Sequence, residues 1–461
     1  MKAVFGKIYA GGRFFRRMLV DGQAVSFDDS EEIPEGAQVL DFHGRIIAPP
    51  LYDCHIHFFQ TGIYLRSVSL RGISNLPALW EKLRSTDPDA HIIGEILWLW
   101  GFDPADRMPT AAELEKILPG TPIVLRRVDG HSCSLSESAQ KILPAALRRP
   151  DGVYSGEAQE KVIEFFLKLT PVDELKKSAL RAAEYARSAG ALRICALVPY
   201  LDWAVLLREI APQLPVDIQI FVESADVDAV ADAGFENIGG CLLLDGSFGS
   251  HTAALFEPYA DDPQNRGILY WCDDDLTRFF ARAAERGLRV AMHAIGDRAV
   301  EQYLRCAERV SGGSALAGWR IEHAELIHPD QIERAAALGL TLSVQPAFEA
   351  FWGGPDGLYA KRLGDRWRQT NPFPAILDAG INLLGGSDSY VTPIDPVFGI
   401  RSAVNHPNPA HRLDPARAIS LFADNPARWE GRKNPYLFRG EVVLSVINEA
   451  LSAPPKIVAP G

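Results

Sequence analysis

From about Gly190 onward, short apolar runs alternate with longer stretches in which apolar positions recur every three or four residues. The first kind reads as buried strand and the second as amphipathic helix, since side chains repeat with period two on a strand and about 3.6 on a helix. Strands are expected at 192–198, 216–222, 238–244, 289–293, 320–323, 340–344 and 381–385, with helices between most of them, such as 274–286, 297–310 and 329–338. The last of these opens with Pro329 in its first turn and Asp330 beside it, both favourable at a helix start. An eighth apolar strand is expected upstream, at 47–54. Eight strand–helix units in one domain point to an α/β fold, a closed parallel (β/α)8 barrel of the TIM type. Such a barrel gathers its working residues at the C-terminal ends of its strands.

Two regions depart from this rhythm. Residues 1–46 read as short strands at 4–10, 14–20 and 39–42, separated by Gly11-Gly12, Asp21-Gly22 and His43-Gly44. Glycine pairs and Asp-Gly between alternating runs are hairpin signals, so a small β unit is expected ahead of the barrel. Residues 441–447 are strand-like and are a candidate partner for it, which gives boundaries of 1–46 and 431–461 for the small unit and 47–430 for the barrel. Residues 60–185 contain the apolar runs 95–102 and 122–128 and a helical pattern over 172–190. They read as a large insertion after the first barrel strand, at the end where long loops shape a substrate pocket.

Composition narrows the class without choosing a function. At 461 residues, with 47% hydrophobic and 23% charged positions, the chain has the make-up of an ordinary globular protein with a large core. A net charge of −12 argues against a nucleic-acid partner, which would want a basic face. The six cysteines (54, 133, 195, 241, 272 and 306) form no paired motif, the pattern of reduced thiols in a cytoplasmic protein. No signal peptide is evident and no run is apolar enough to span a membrane, so a small-molecule partner is expected, in a monomer or a homo-oligomer.

The polar residues that interrupt the apolar strands carry the chemistry. The first strand ends in Asp53-Cys54-His55-Ile56-His57, and residues two apart on a strand share a face. Two imidazoles side by side make half of a transition-metal site, although a core histidine beside a solvent-facing one fits the pair alone equally well. The fifth strand ends at His293, the sixth at Glu322-His323, and the eighth runs into Gly386-Ser387-Asp388. Barrel geometry brings those ends together, so His55, His57, His293, His323 and Asp388 are expected to converge on a metal site.

Several stretches give the chain a family likeness: LDFHGRIIAPPLYDCHIHF, RRVDGHSCSLS, LLLDGSFGSHTAALFEPY, VAMHAIGDRAVE, RIEHAELIHPDQI, LSVQPAF and GGSDSYVTPIDPVFGI. They occur in order from about 39 to 430, and through them the sequence resembles the amidohydrolase superfamily, in particular the amidohydrolase family 3 branch that includes N-substituted formamide deformylase. The resemblance implies a distorted (β/α)8 barrel holding one or two divalent metals, zinc favoured, flanked by a small β-sandwich built from both termini. It also implies that His55, His57 and Asp388 bind one metal, and that His293 and His323 bind a second or serve the first metal and the substrate. Asp388 would shuttle the proton of an activated water, and His131 would lie near the substrate. The implied activity is metal-dependent hydrolysis of a carbon–nitrogen bond in a small amide-like molecule. Its rivals are a one-metal deaminase of a heterocycle or amidine and a catalytically silent binding relative.

Some residues depart from that pattern. The lysine that bridges two metals in such enzymes is replaced by Cys241, a good zinc ligand whose side chain is too short to reach two metals from the same backbone position. Glu223 could supply a carboxylate instead, or could simply start a helix; alternatively one metal is held by His55, His57, His293 and Asp388. His251 stands where an arginine is usual and is expected to be a neutral replacement. Trp98, Trp100, Phe102, Phe348, Phe351 and Trp352 are either pocket walls or core.

Overall fold

The structure is a computed structural model that describes residues 1–453 apart from Asp129, His131 and Glu449. It divides into two compact units, one made of residues 1–57 together with the chain from Tyr185 on, the other of Phe58–Glu184.

The first unit is built on eight parallel strands: β5 (Leu51–His57), β6 (Ala191–Val198), β7 (Asp217–Val222), β8 (Asn237–Leu243), β9 (Arg289–Ala294), β10 (Arg320–His323), β11 (Thr341–Val344) and β12 (Asn382–Gly385). They pair in sequence order, β5 to β12. The ring closes just past the end of β12, where Ile56 bridges Ser389 in parallel register. There the His57 amide donates to the Ser389 carbonyl (2.8 Å) and the Asp388 amide to the His55 carbonyl (2.9 Å). The expected (β/α)8 barrel is the fold.

The intervening helices follow the apolar spacing. Asp273–Glu285 buries Leu276, Phe279, Phe280 and Ala283, the i, i+3, i+4, i+7 stripe of an amphipathic helix, and carries three aspartates in its first turn. Asp297–Ser311 ends at Gly312 in the left-handed conformation (φ 56°), which glycine adopts without a Cβ penalty.

A small sheet precedes the barrel, made of β1 (Lys2–Ala10), β2 (Arg13–Asp21), β3 (Ala24–Asp28) and β4 (Gln38–Ala48). The C-terminal strand β13 (Ser445–Ile447) adds to its edge, antiparallel to Ile46–Ala48. Two details differ from the sequence expectation. The strand expected at 47–54 is two strands: Ile47 and Ala48 belong to β4, and the barrel strand starts only at Leu51. Pro49 and Pro50 separate them because proline has no N–H to donate to a ladder. His43-Gly44 is not a hairpin turn but a kink inside β4, where the register against β1 jumps from Phe5↔Asp41 to Lys7↔Ile46.

The second unit is a mixed sheet, ordered Val153–Ser155, Ser132–Leu135, Ile123–Arg127, Ile96–Phe102, Val68–Ser69, covered by helices. Ile96–Phe102 is buried throughout, and Trp100 stacks on Tyr64 with centroids 4.4 Å apart. Trp98 and Phe102 are therefore core residues of this unit.

Candidate metal centre

Two irregularities in the barrel strands set up the site. In β5, three steps from Asp53 to Ile56 run opposite two steps of β6, from Ile194 to Ala196. This bulge turns both Cys54 and His55 inward, where a regular strand would send successive side chains to opposite faces. Cys54 then packs with Cys195, Phe221 and Tyr52 in the barrel interior, while His55 enters the site above.

In β8, the four steps from Gly239 to Leu243 run opposite the two from Ala291 to His293. Gly239 and Gly240 have φ of 89° and 104°, and a Cβ on Gly239 would lie 1.9 Å from the Ala291 carbonyl oxygen. Only glycine fits so close a backbone approach. The bulge carries Cys241 in among the histidines, with its Sγ 3.8 Å from His293 Nδ1.

Around this point the donor atoms fall into two overlapping groups, each mutually within 4.8 Å: His55, His57 and Asp388, and His55, Cys241 and His323. Asp388 Oδ1 lies 3.4 Å from His55 Nε2 and 3.2 Å from His57 Nε2. The His323 ring centroid is 4.4 Å from that of His293 and 4.9 Å from that of His55. Thus the four histidines and the aspartate singled out in the sequence come together at one end of the barrel. His131 lies outside the described residues.

A divalent metal fits this donor set. Ligand bonds of about 2.0–2.3 Å in a tetrahedron put neighbouring N and O donors about 3.3 Å apart and an N,S pair about 3.6 Å apart, close to the separations above. Moreover, His55 Nε2, both ring nitrogens of His323 and Asp388 Oδ1 are buried without a hydrogen-bond partner. Orphaned polar atoms in such number are costly unless something binds them. His323 and Asp388 also hold left-handed backbones, with φ of 71° and 56°. For a residue with a Cβ that costs about 1–2 kcal/mol, strain of the kind concentrated at functional sites.

Two of the ligand candidates, His55 and His293, are held from behind. His55 Nδ1 pairs with Glu322 Oε2 (2.7 Å), so only Nε2 faces the site. Glu322 is in turn bound by Arg320 Nε and Nη2 (2.7 and 2.6 Å), and Arg320 sits over the Phe221 ring at 4.1 Å and reaches the Cys54 carbonyl. Arg320, Glu322 and His55 are completely buried. His293 Nε2 bonds to the Gly246 carbonyl (3.1 Å), which turns Nδ1 toward Cys241. Asp245, 3.6 Å from His293, accepts amides from Ala254, Ile295 and Gly296 and so ties the loop after β8 to the loop after β9. On β5, Asp53 does the same for Ser387 at 2.8 Å.

Electrostatically the imidazoles, the thiol and the carboxyl group shift one another strongly. Burial opposes charge on His55 and His57, but Asp388 and Cys241 outweigh it and raise both well above the usual histidine range. His293 is raised to about 9 against burial, chiefly by Cys241. His323 is lowered, by burial first and then by the neighbouring His293 and His55. Burial also opposes ionisation of Asp388 and Cys241, yet the imidazoles hold both well below their ordinary values.

The structure bears on several sequence readings, correcting some and choosing between the alternatives of others. Glu223 does not start a helix: Asp226 caps Val227–Asp232. Instead its carboxylate points at His57 Nδ1 (3.7 Å), and burial raises it to about 7. Cys241 is nearer the ligands than its side-chain length implies, because of the bulge. His251 bonds to Asp261 (2.9 Å) against Tyr259, a structural contact. Phe348 stacks on His323 and touches Trp352, which places both beside the site. Glu322 and Arg320 were not singled out, although two charges in a four-residue apolar strand, RIEH, are themselves a signal.

The profile of the amidohydrolase family matches residues 38–434. The chain is 28% identical over 437 residues to Protein LONG AFTER FAR-RED 3 of Arabidopsis thaliana, covering 84% of this chain and 74% of that protein. It is 22% identical over 474 residues to the N-substituted formamide deformylase of Arthrobacter pascens, covering 90% and 86%. Among solved structures it is similar to an uncharacterized metal-dependent hydrolase of Pyrococcus furiosus, with 26% identity, a TM-score of 0.79, and 98% and 99% of the two chains covered.

Proposed function

This chain belongs to the amidohydrolase family and is a metal-dependent hydrolase acting on carbon–nitrogen bonds, and we propose that it cleaves an amide-like bond of a small molecule with Asp388 as the proton carrier. The observation that carries the reading is the triangle of His55 Nε2, His57 Nε2 and Asp388 Oδ1, with His55 and Asp388 buried, whose 3.2 and 3.4 Å edges suit one tetrahedral ion. His293 and His323 stand beside it, as donors to a second ion or as groups that serve the first ion and the substrate. Imidazole with carboxylate favours zinc over magnesium or calcium.

A divalent metal bound there would supply a Lewis acid and lower the pKa of a water into the neutral range. The chain's own residues do the rest. Asp388 is kept ionised beside His55 and His57, and with Oδ1 on the ion its other carboxylate oxygen would accept a proton at neutral pH and, once protonated, give it to the departing amine. His323, kept neutral chiefly by burial, would offer a ring N–H to the oxygen of the scissile carbonyl as charge builds there. Phe348 and Trp352 line the approach beside His323 and favour an apolar or planar substituent. The name of the Arthrobacter relative directs the first substrates to N-substituted formamides. All six cysteines are free, which suits a reducing, cytoplasmic setting.

The test is metal analysis of the purified chain, followed by a screen of N-formyl and N-acyl amines, ureas and cyclic amides with the amine product measured. Asp388→Asn is expected to lower kcat by about 10^2–10^4-fold while leaving the fold intact. Turnover near that of the wild type in that variant would mean that the proton carrier lies elsewhere. Release of ammonia from heterocycles or amidines, with no amide cleaved, would make the chain a deaminase.

A further inference from the structure

We propose that Cys241 is a metal ligand of this centre, so that its donor set includes a thiolate and selects a borderline-soft ion. The inference rests on the metal-dependent reading above and goes beyond it in assigning a sulfur donor.

The argument starts from a shortage of nitrogens. Glu322 occupies His55 Nδ1, so His55 offers the site only Nε2. Both donor groups, His55 with His57 and Asp388 and His55 with Cys241 and His323, call on that one nitrogen. An ion that takes it together with His57 and Asp388 leaves Cys241, His323 and His293 as a set of their own. In that set His293 Nδ1 is turned inward by the bond from Nε2 to Gly246, and lies 3.8 Å from Cys241 Sγ. A tetrahedral zinc would hold N and S about 3.6 Å apart. His323, 99% buried, has no hydrogen-bond partner on either ring nitrogen. Its ring is packed against those of His293 and His55, so an ion shared with Cys241 gives the orphaned imidazole a partner.

The backbone shows how a short side chain reaches this place. The bulge at Gly239–Leu243 displaces β8 toward the site and re-aims its side chains. It exists only because Gly239 and Gly240 can hold positive φ with no Cβ to meet Ala291 or Leu197. Thiolate and imidazole together favour zinc, cobalt(II) or iron(II) over magnesium, calcium or manganese.

The test uses the whole chain, stripped by a chelator and loaded with cobalt(II), as wild type, Cys241→Ser and Cys241→Ala. A thiolate on cobalt adds a sulfur-to-metal charge-transfer band in the near ultraviolet, which nitrogen and oxygen donors do not. The wild type is expected to show the band and both variants to lose it, with zinc affinity falling by more than the roughly 10–100-fold attached to a residue that only supports a ligand. Stoichiometric cobalt with no such band in the wild type overturns this assignment and leaves the reading of His55, His57 and Asp388 standing. No stoichiometric cobalt or zinc under any loading overturns both. If a variant fails to fold, the wild-type spectrum decides alone.

Discussion

The Arg320–Glu322–His55 chain offers a perturbation that separates stability from metal binding. All three side chains are fully buried, and Glu322 faces a cation on one oxygen and His55 on the other. Burial disfavours a charged Glu322, but Arg320 and His55 outweigh it and keep it ionised. Glu322→Gln removes the negative charge and leaves Arg320 as an uncompensated cation in the barrel interior, a change that costs about 3–5 kcal/mol in buried pairs. It also weakens the bond that fixes His55, and a lost supporting bond of this kind costs about 10–100-fold in metal affinity. The double variant Arg320→Met/Glu322→Gln removes the stranded charge while leaving His55 without its carboxylate. Denaturant unfolding of the metal-free proteins and zinc titration against a competing chelator give the two numbers. The single variant is expected to lose both stability and affinity, and the double variant to regain most of the stability and none of the affinity. Recovery of zinc affinity in the double variant would refute the reasoning, because Glu322 would then serve only to neutralise Arg320.

Two further outcomes are expected. Protons compete with metal for raised histidines, so the thermal shift produced by zinc should grow from pH 6.5 to 9: the stability that protonated His293 lends the metal-free fold is complete below the ordinary histidine value and lost as pH rises through about 9. A zinc-induced shift that is flat or falls over that range, measured against a chelated control, contradicts this. Gly239→Ala forces a Cβ to 1.9 Å from the Ala291 carbonyl at φ 89°, and should cost about 2–6 kcal/mol of stability together with the Cys241 geometry. A variant with wild-type stability and an unchanged cobalt spectrum would show that the bulge is not needed.

The fold was legible because its signals are local. Alternating apolar strands and 3.6-period helices number the barrel strands directly, and strands of a parallel barrel end at one face whatever the loops do. His55, His57, His293, His323 and Asp388 could therefore be brought together from position alone. The start of the first barrel strand was displaced by the small sheet, which claims Ile47 through a pairing with Val446, a partner nearly four hundred residues away. The contacts of Cys241 and Glu322, rather than the residues themselves, were beyond the sequence for the same physical reason. What Cys241 touches depends on a bulge measured against β9, and what Glu322 orients depends on packing between β10 and β5 across the barrel. Periodicity specifies which face of its own element a residue occupies; only the closed barrel decides which donor atoms remain unpaired and within reach of one ion.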